Sequence, residues 1–192
     1  MPAWTLSQAL AAGVQIEVQD GGGKPLADAV VFLQSREARA LVRPAQGAEI
    51  AQKAKVFDPA VLVVPVGTPV AFPNRDTVRH HVYSFSPAKS FELKLYSGVP
   101  ANPVLFDKTG IAVLGCNIHD AMTAWVVVVD TPYYGRSMAG GTVTMTDVPP
   151  GNYRLRVWHP SLPLGVPATD QALQVGSADI RQVFALDAAR GP

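Results

Sequence analysis

The chain has 192 residues, of which 48% are hydrophobic and 16% are charged, and its formal net charge is +1. This length and composition suffice for a folded core and exclude a disordered chain. The near-neutral charge gives no support for a nucleic acid or an anionic membrane surface as a partner. No stretch approaches the roughly 20 apolar residues that a bilayer-spanning helix needs.

The first segment predicted to fold is a pair of strands near the N-terminus. Residues 14–18 alternate apolar and polar side chains, as a half-buried strand does. Residues 20–25 contain glycines and a proline and predict a turn, after which the apolar residues 29–33 predict the returning strand of a hairpin. Residues 35–47 lose this pattern and are interpreted as a connection between two units.

A second set of short predicted strands begins near residue 50 and ends near residue 131. Turns separate these strands, and no segment has a convincing helical period. The predicted strands are residues 61–64, 70–72, 80–86, 91–96, 104–106, 111–114 and 123–130. Short strands broken by turns at such intervals predict an all-β sandwich.

The C-terminal part predicts four more strands, at residues 141–145, 153–158, 172–175 and 180–186. Four strands need further partners to close a sandwich, and the N-terminal segment can supply them. We therefore expect an outer β-sandwich made of residues 14–34 and 138–187, with a second unit, residues 50–131, inserted between its two parts.

The loop between the predicted strands 111–114 and 123–130 carries three potential metal ligands. Cys116, His119 and Met122 follow the spacing C-x2-H-x2-M, and Cys116 is the only cysteine. A histidine pair, His80 and His81, lies at the start of another predicted strand. Two histidines, one cysteine and a weak axial methionine form the ligand set of a blue-copper electron-transfer site. The sequence predicts one type 1 copper ion bound by His80, Cys116, His119 and Met122.

Alternatives to this interpretation exist for each part of the motif. Strand side chains alternate, so only one of His80 and His81 can face inward with Val82. His80 shares its parity with Val82, which favours His80 and places His81 outward with Tyr83. A lone cysteine can also be a small buried apolar residue, and cysteine with histidine can bind zinc. Methionine is a poor zinc ligand, which favours copper.

Residues 50–131 resemble a cupredoxin, and their pattern is nearest to the amicyanin and plastocyanin group. The matching motifs are Gly67-Thr-Pro-Val-Ala-Phe, Asn74-Arg-Asp-Thr-Val-Arg-His80 and Cys116-x2-His119-x2-Met122 before the last strand. The resemblance implies a cupredoxin-like Greek-key β-sandwich and supports His80 as the ligand at N-x5-H. It also implies that the Asn74 side chain is hydrogen-bonded to the loop that carries the cysteine. The chain departs from the amicyanin pattern at Arg79, where proline is common, and at His81, where asparagine is common.

The flanking segments resemble a carboxypeptidase regulatory-like, transthyretin-like β-sandwich. The similarity is carried by Gly23-Lys-Pro-Leu-Ala-Asp-Ala-Val-Val-Phe and Val148-Pro-Pro-Gly-Asn-Tyr-Arg-Leu-Arg-Val. The whole arrangement resembles exported bacterial proteins labelled methylamine utilisation proteins, a label that does not imply action on methylamine. The first residues lack the features of an intact signal peptide, so either the chain is cytosolic or a leader has been removed. The resemblance therefore implies a periplasmic protein whose signal peptide has been removed.

These features predict an electron carrier and not an enzyme, since four histidines cannot supply the further clusters of a multicopper oxidase. The copper would carry single electrons between redox partner proteins that bind transiently. His119 would be the exposed edge of the site, with Ile118 and Ala121 as an apolar docking patch. The alternative is a copper-binding or copper-delivery module without redox turnover, with the outer sandwich as its interaction surface.

Overall fold

The structure is a computed structural model that describes residues 11–187. Within that range, nearly all regular structure is β, which confirms the predicted all-β class. The strands are β1 (Ala12–Asp20), β2 (Val30–Gln34), β3 (Ala48–Glu49), β4 (Ala51–Lys53), β5 (Val56–Asp58), β6 (Val61–Pro65), β7 (Thr68–Ala71), β8 (His80–Ser86), β9 (Lys89–Tyr96), β10 (Val104–Phe106), β11 (Gly110–Gly115), β12 (Thr123–Val129), β13 (Tyr134–Arg136), β14 (Thr142–Val148), β15 (Gly151–Trp158), β16 (Thr169–Val175) and β17 (Ile180–Leu186).

One short helix, α1 (Arg36–Ala40), lies in the segment that we interpret as a connection. Its N-cap is Ser35, whose hydroxyl oxygen accepts a hydrogen bond from the backbone N–H of Ala38 at 3.0 Å. This bond satisfies one of the free donors at the start of the helix. Among residues 11–187 there is no helix with the length and apolar content that crossing a membrane requires.

The N-terminal and C-terminal strands share two sheets. The first sheet has the order β14-β1-β17, and the second has the order β13-β2-β15-β16. The predicted hairpin was therefore wrong, because β1 and β2 lie in different sheets. Both edges of β1 are occupied, by β14 in antiparallel and by β17 in parallel orientation. Local alternation predicts each strand but cannot distinguish a hairpin from a chain that crosses to the facing sheet.

The middle of the chain contains a five-stranded sheet, β6-β12-β11-β8-β9, and a three-stranded sheet, β10-β7-β3. Strands β4 and β5 form a separate two-stranded sheet. An apolar cluster of this part of the chain includes Ile50, Phe72, Phe106, Leu114 and Met122, which are all at most 1% exposed. The observed architecture thus contains two sandwich units, as we expected. The boundaries at residues 14–34, 50–131 and 138–187 stay a prediction.

The central strand β12 of the five-stranded sheet is buried on both faces. Its residues Ala124, Val126 and Val128 pack into the cluster that contains Cys116 and Met122. Val127 and Val129 pack instead with the core of the outer sandwich. This explains the uninterrupted apolar run in the sequence, since a strand covered on both sides needs no polar face. The outer sandwich therefore packs against the face of the five-stranded sheet that points away from the cluster containing Cys116.

Candidate metal centre

The pairing of β11 with β12 fixes the loop that carries the C-x2-H-x2-M motif. Gly115, at the end of β11, is paired with Thr123, at the start of β12. Residues 116–122 therefore form a loop anchored by two central strands. Gly115 is also the partner of Tyr83 on β8. This second pairing brings the start of β8, which carries His80, to the same end of the sheet.

The structure brings three of the four predicted ligands together. The metal-binding atoms of His80, Cys116 and His119 all lie within 4.8 Å of one another. The Sγ atom of Cys116 is 3.9 Å from Nδ1 of His80. The imidazole rings of His80 and His119 have centroids 5.1 Å apart. His80 is fully buried and Cys116 is 4% exposed, whereas His119 is partly exposed.

One ring nitrogen in this cluster indicates that a metal ion would fit between the three side chains. Nδ1 of His119 is buried and has no hydrogen-bond partner among residues 11–187. A buried polar atom without a partner is uncommon in folded proteins, because it loses its bond to water. A lone pair on this nitrogen would be satisfied by a metal ion between the three side chains. A thiolate and two imidazoles suit copper or zinc.

Met122, the fourth predicted ligand, is 1% exposed and belongs to the same apolar cluster as Cys116. Its backbone N–H donates to the carbonyl oxygen of His119 at 2.9 Å. This bond closes a turn within the loop and links the backbone positions of two candidate ligands.

Asp76 contacts the buried His80 and was not predicted from the sequence as a site residue. Its Oδ2 atom is 2.7 Å from Nε2 of His80, which leaves Nδ1 facing Cys116. Burial raises the pKa of Asp76, but hydrogen bonds from Lys55 N–H, from His80 and from Ala54 N–H outweigh it, so the pKa lies below its ordinary value. A carboxylate on the outer nitrogen of a ligating histidine fixes the tautomer and the ring orientation. The only sequence signal was its position between Asn74 and His80.

Asn74 does not make the predicted hydrogen bond to the cysteine loop. Its Nδ2 donates to the carbonyl oxygens of Val78, at 2.9 Å, and Tyr96, at 2.8 Å. Its Oδ1 accepts from the N–H of Asp76 at 2.9 Å. Asn74 therefore organises the segment that leads to His80. Its backbone pairs with Gly98, so the side chain lies on the β9 side of the site.

A different asparagine joins the cysteine loop to β8. Nδ2 of Asn117 is 3.1 Å from Nδ1 of His81. Nε2 of His81 is 3.0 Å from Oε1 of Glu92, at an ion-pair distance but without hydrogen-bond geometry. The ring of His81 meets that of Tyr83 edge-on at 5.8 Å, so the two share a face of the sheet. His81 is nevertheless buried, and it lies outside the three-residue cluster.

The fourth histidine lies away from this cluster. Nε2 of His159 is 2.9 Å from the carbonyl oxygen of Ala27, and its Nδ1 is 2.6 Å from Oγ of Ser161. Both ring nitrogens are therefore occupied by local contacts in the outer sandwich. His159 is therefore a hydrogen-bonding residue of the outer sandwich.

The fold and the site together define an all-β protein with a His–Cys–His cluster that can hold a metal ion. A comparison with protein-family models gives no match, and a comparison with curated proteins gives none either.

The chain is similar to several solved structures. One is a purple cupredoxin from Nitrosopumilus maritimus, with 24% sequence identity and a TM-score of 0.38. The match covers 43% of this chain and 99% of the cupredoxin chain. Another is a reduced amicyanin variant, with 24% sequence identity and a TM-score of 0.40. The match covers 52% of this chain and 98% of the amicyanin chain. A copper-containing nitrite reductase from Thermus scotoductus SA-01 has 23% identity and a TM-score of 0.40, with 50% of this chain and 27% of that one covered.

Proposed function

We propose that residues 50–131 form a cupredoxin unit that binds one type 1 copper ion and carries single electrons between partner proteins. The ligands would be His80, Cys116 and His119, with Met122 as the weak axial ligand. The observation that carries this proposal is the convergence of a thiol and two imidazoles at one end of the five-stranded sheet, with a buried ring nitrogen of His119 left without a partner.

The donor set favours copper over zinc. A soft thiolate with imidazoles and a thioether suits copper in both of its common oxidation states, whereas structural zinc sites use cysteine, histidine and carboxylate. Divalent copper also binds such donors more tightly than the other divalent first-row metals. Bound copper would supply the one-electron couple; the chain supplies the fixed donors.

The contacts around the ligands hold them in one arrangement. Asp76 fixes the ring of His80, and the paired ends of β11 and β12 fix the loop that carries Cys116. A ligand set that moves little when the oxidation state changes lowers the reorganisation that accompanies electron transfer. The burial of His80 and Cys116 excludes water from the same place.

The exposed edge of His119 would be the route for electrons. The residues beside it, Ile118 and Ala121, are exposed, and Ile118 is 49% exposed. A small apolar surface of this kind suits the brief, low-area contacts of redox partners. The periplasm is the proposed location, because the resemblance of the sequence to exported cupredoxins implies it.

The test is reconstitution of the full chain with Cu(II), followed by visible absorption and EPR spectroscopy. The wild type should show an intense thiolate-to-copper band, and Cys116→Ser should lose it. His159→Gln is the matched control, because it removes a histidine that lies outside the cluster. A colourless wild type, or a band that Cys116→Ser retains, would refute the assignment.

Redox measurements separate the electron carrier from the copper-delivery module. A reversible midpoint potential and rapid electron exchange with a small-molecule reductant support the carrier. Rapid loss of copper to a chelator, without electron exchange, supports a delivery module that uses the same ligands.

A further inference from the structure

A cleft of about 800 Å³ lies between the outer sandwich and the five-stranded sheet. Strands β2 and β15 form one wall, and β8, β11 and β12 form the other. The segment 162–168 lies along its mouth. Its volume is within the range of small-molecule binding sites, which often lie where two units meet.

Aromatic rings form much of the lining. The rings of Trp125 and Trp158, one from each wall, have centroids 6.2 Å apart at an interplanar angle of 54°. Tyr83 and Phe85 form a second pair at 5.2 Å. Phe85 is 75% exposed and so adds apolar surface beside Tyr83. This lining suits a flat aromatic ligand.

The charges that line the cleft all have one sign. Among residues 11–187, Lys108 and Arg156 line it, and no aspartate or glutamate does. Asp170, the cross-strand neighbour of Arg156 on β16, is hydrogen-bonded to Arg154 and does not line the cleft. These two positive side chains therefore favour a negatively charged ligand.

The guanidinium group of Arg156 has unused hydrogen-bonding capacity. Its Cζ atom lies over the ring of Phe32, 5.5 Å from the centroid. Its contacts to Oε1 of Gln34, at 3.2 Å, and to the carbonyl oxygen of Ala168, at 3.4 Å, are long. Its Nε has no hydrogen-bond partner within the described part of the chain. A guanidinium group carries several N–H donors in a fork that matches a carboxylate.

We propose that this cleft binds a small aromatic carboxylate, with its ring against Trp125, Trp158 and Tyr83 and its carboxylate on Arg156. The cleft lies on the face of the five-stranded sheet opposite Cys116, so binding does not require a metal ion. On β11, Ile111 and Val113 line the cleft, whereas Ala112 between them packs into the cluster that contains Cys116. The proposal is therefore independent of the copper assignment.

The test uses the full metal-free chain and 2-naphthoate as the probe, with binding measured by calorimetry and by tryptophan fluorescence. We expect saturable one-to-one binding and clearly weaker binding of the neutral analogue 2-naphthalenemethanol. Arg156→Gln should weaken binding of 2-naphthoate about 10- to 100-fold, since it removes a charged hydrogen-bond partner. It should leave binding of the neutral analogue unchanged. Arg181→Gln, which removes an exposed arginine on β17 outside the lining, should bind 2-naphthoate as the wild type does.

A second variant covers the case in which Arg156→Gln does not fold. Lys108 is exposed, so Lys108→Gln should fold and should weaken binding of 2-naphthoate by about two- to fivefold. Equal affinity for the charged and the neutral probe would overturn the proposal, as would no saturable binding. Equal weakening by Arg181→Gln, or binding of an apolar peptide in place of 2-naphthoate, would also overturn it.

Discussion

At the scale of single residues, the contact between Asp76 and His80 has the clearest chemical consequence. The carboxylate holds one ring nitrogen of His80 at 2.7 Å, so the other nitrogen is directed at the thiol. The same carboxylate accepts hydrogen bonds from the N–H groups of Ala54, at 2.6 Å, and Lys55, at 2.9 Å. The orientation of the histidine therefore depends on a turn that is remote from it in sequence.

Replacing Asp76 by asparagine should weaken copper binding. The N–H groups of Ala54 and Lys55 donate to different oxygens of the carboxylate, so the amide oxygen of asparagine can keep only one of these bonds. The negative charge next to the imidazole is lost as well. Changes of this kind lower metal affinity about 10- to 100-fold. Competition with a chelator measures the change, and Asp107→Asn is the control, because Asp107 pairs with Lys89 at an exposed position. Equal affinities of Asp76→Asn and the wild type would show that the contact has no role in binding.

Met122→Leu should raise the reduction potential of the proposed copper site. Leucine has a similar volume, so the fold should be retained at a cost below about 1.5 kcal/mol. Loss of the thioether removes an electron donor and leaves a drier environment, which disfavours the more highly charged Cu(II). Voltammetry measures the potential. The control is Met145→Leu, which replaces a buried methionine of the outer sandwich and should leave the reduction potential unchanged. If Met122→Leu has the same reduction potential as the wild type, Met122 is not an axial ligand.

At the scale of elements, the close approach of β8 and β11 requires a glycine at position 115. A Cβ atom there would lie 2.6 Å from Cζ of Tyr83, below any normal contact distance. The absence of a side chain lets the tyrosine ring lie flat over the strand end that precedes Cys116. The ligand loop and the aromatic cleft therefore meet at this glycine from opposite sides of the sheet.

Gly115→Ala should destabilise the fold by about 1–3 kcal/mol, which is typical of overpacking. Urea unfolding followed by circular dichroism measures the loss. The control is Gly176→Ala, where an added Cβ would have no neighbour within 4 Å. If both variants unfold at the same urea concentration, Tyr83 can move aside and the close approach is not required.

The sequence predicted the longer strands because their alternation is a local property. It did not predict β3, β4 and β5, which have only two or three residues each and so carry no readable period. The partners of β1 and β2 depend on strands more than 100 residues away. The C-x2-H-x2-M spacing was readable because its residues share one loop. The contacts of Asp76 and of Asn117 with the histidines were not, because they depend on how distant segments meet.

At the scale of the whole molecule, the two units share the central sheet. The outer core includes Val61, Val127 and Val129, which lie within the predicted cupredoxin unit. Trp125 packs against the same core. Removal of the outer sandwich would expose this whole face of the sheet to water.

Residues 50–131 produced alone should therefore bind a hydrophobic dye and associate. Exposing each of these valine side chains to water costs up to about 1.5–3 kcal/mol of hydrophobic stabilisation. Size-exclusion chromatography and dye fluorescence measure the effect, with the full chain as the control. A monomeric fragment that binds no dye would show instead that residues 50–131 are an independent domain.

The two-sided burial of β12 has a consequence for thermal stability. This strand begins at the ligand loop and carries side chains of both cores, so neither core can melt without disturbing the other. Occupation of the ligand loop by a tightly bound ion stabilises the native state by mass action. Calorimetry should therefore show a single heat-absorption peak, and metal loading should move that entire peak to higher temperature rather than splitting it.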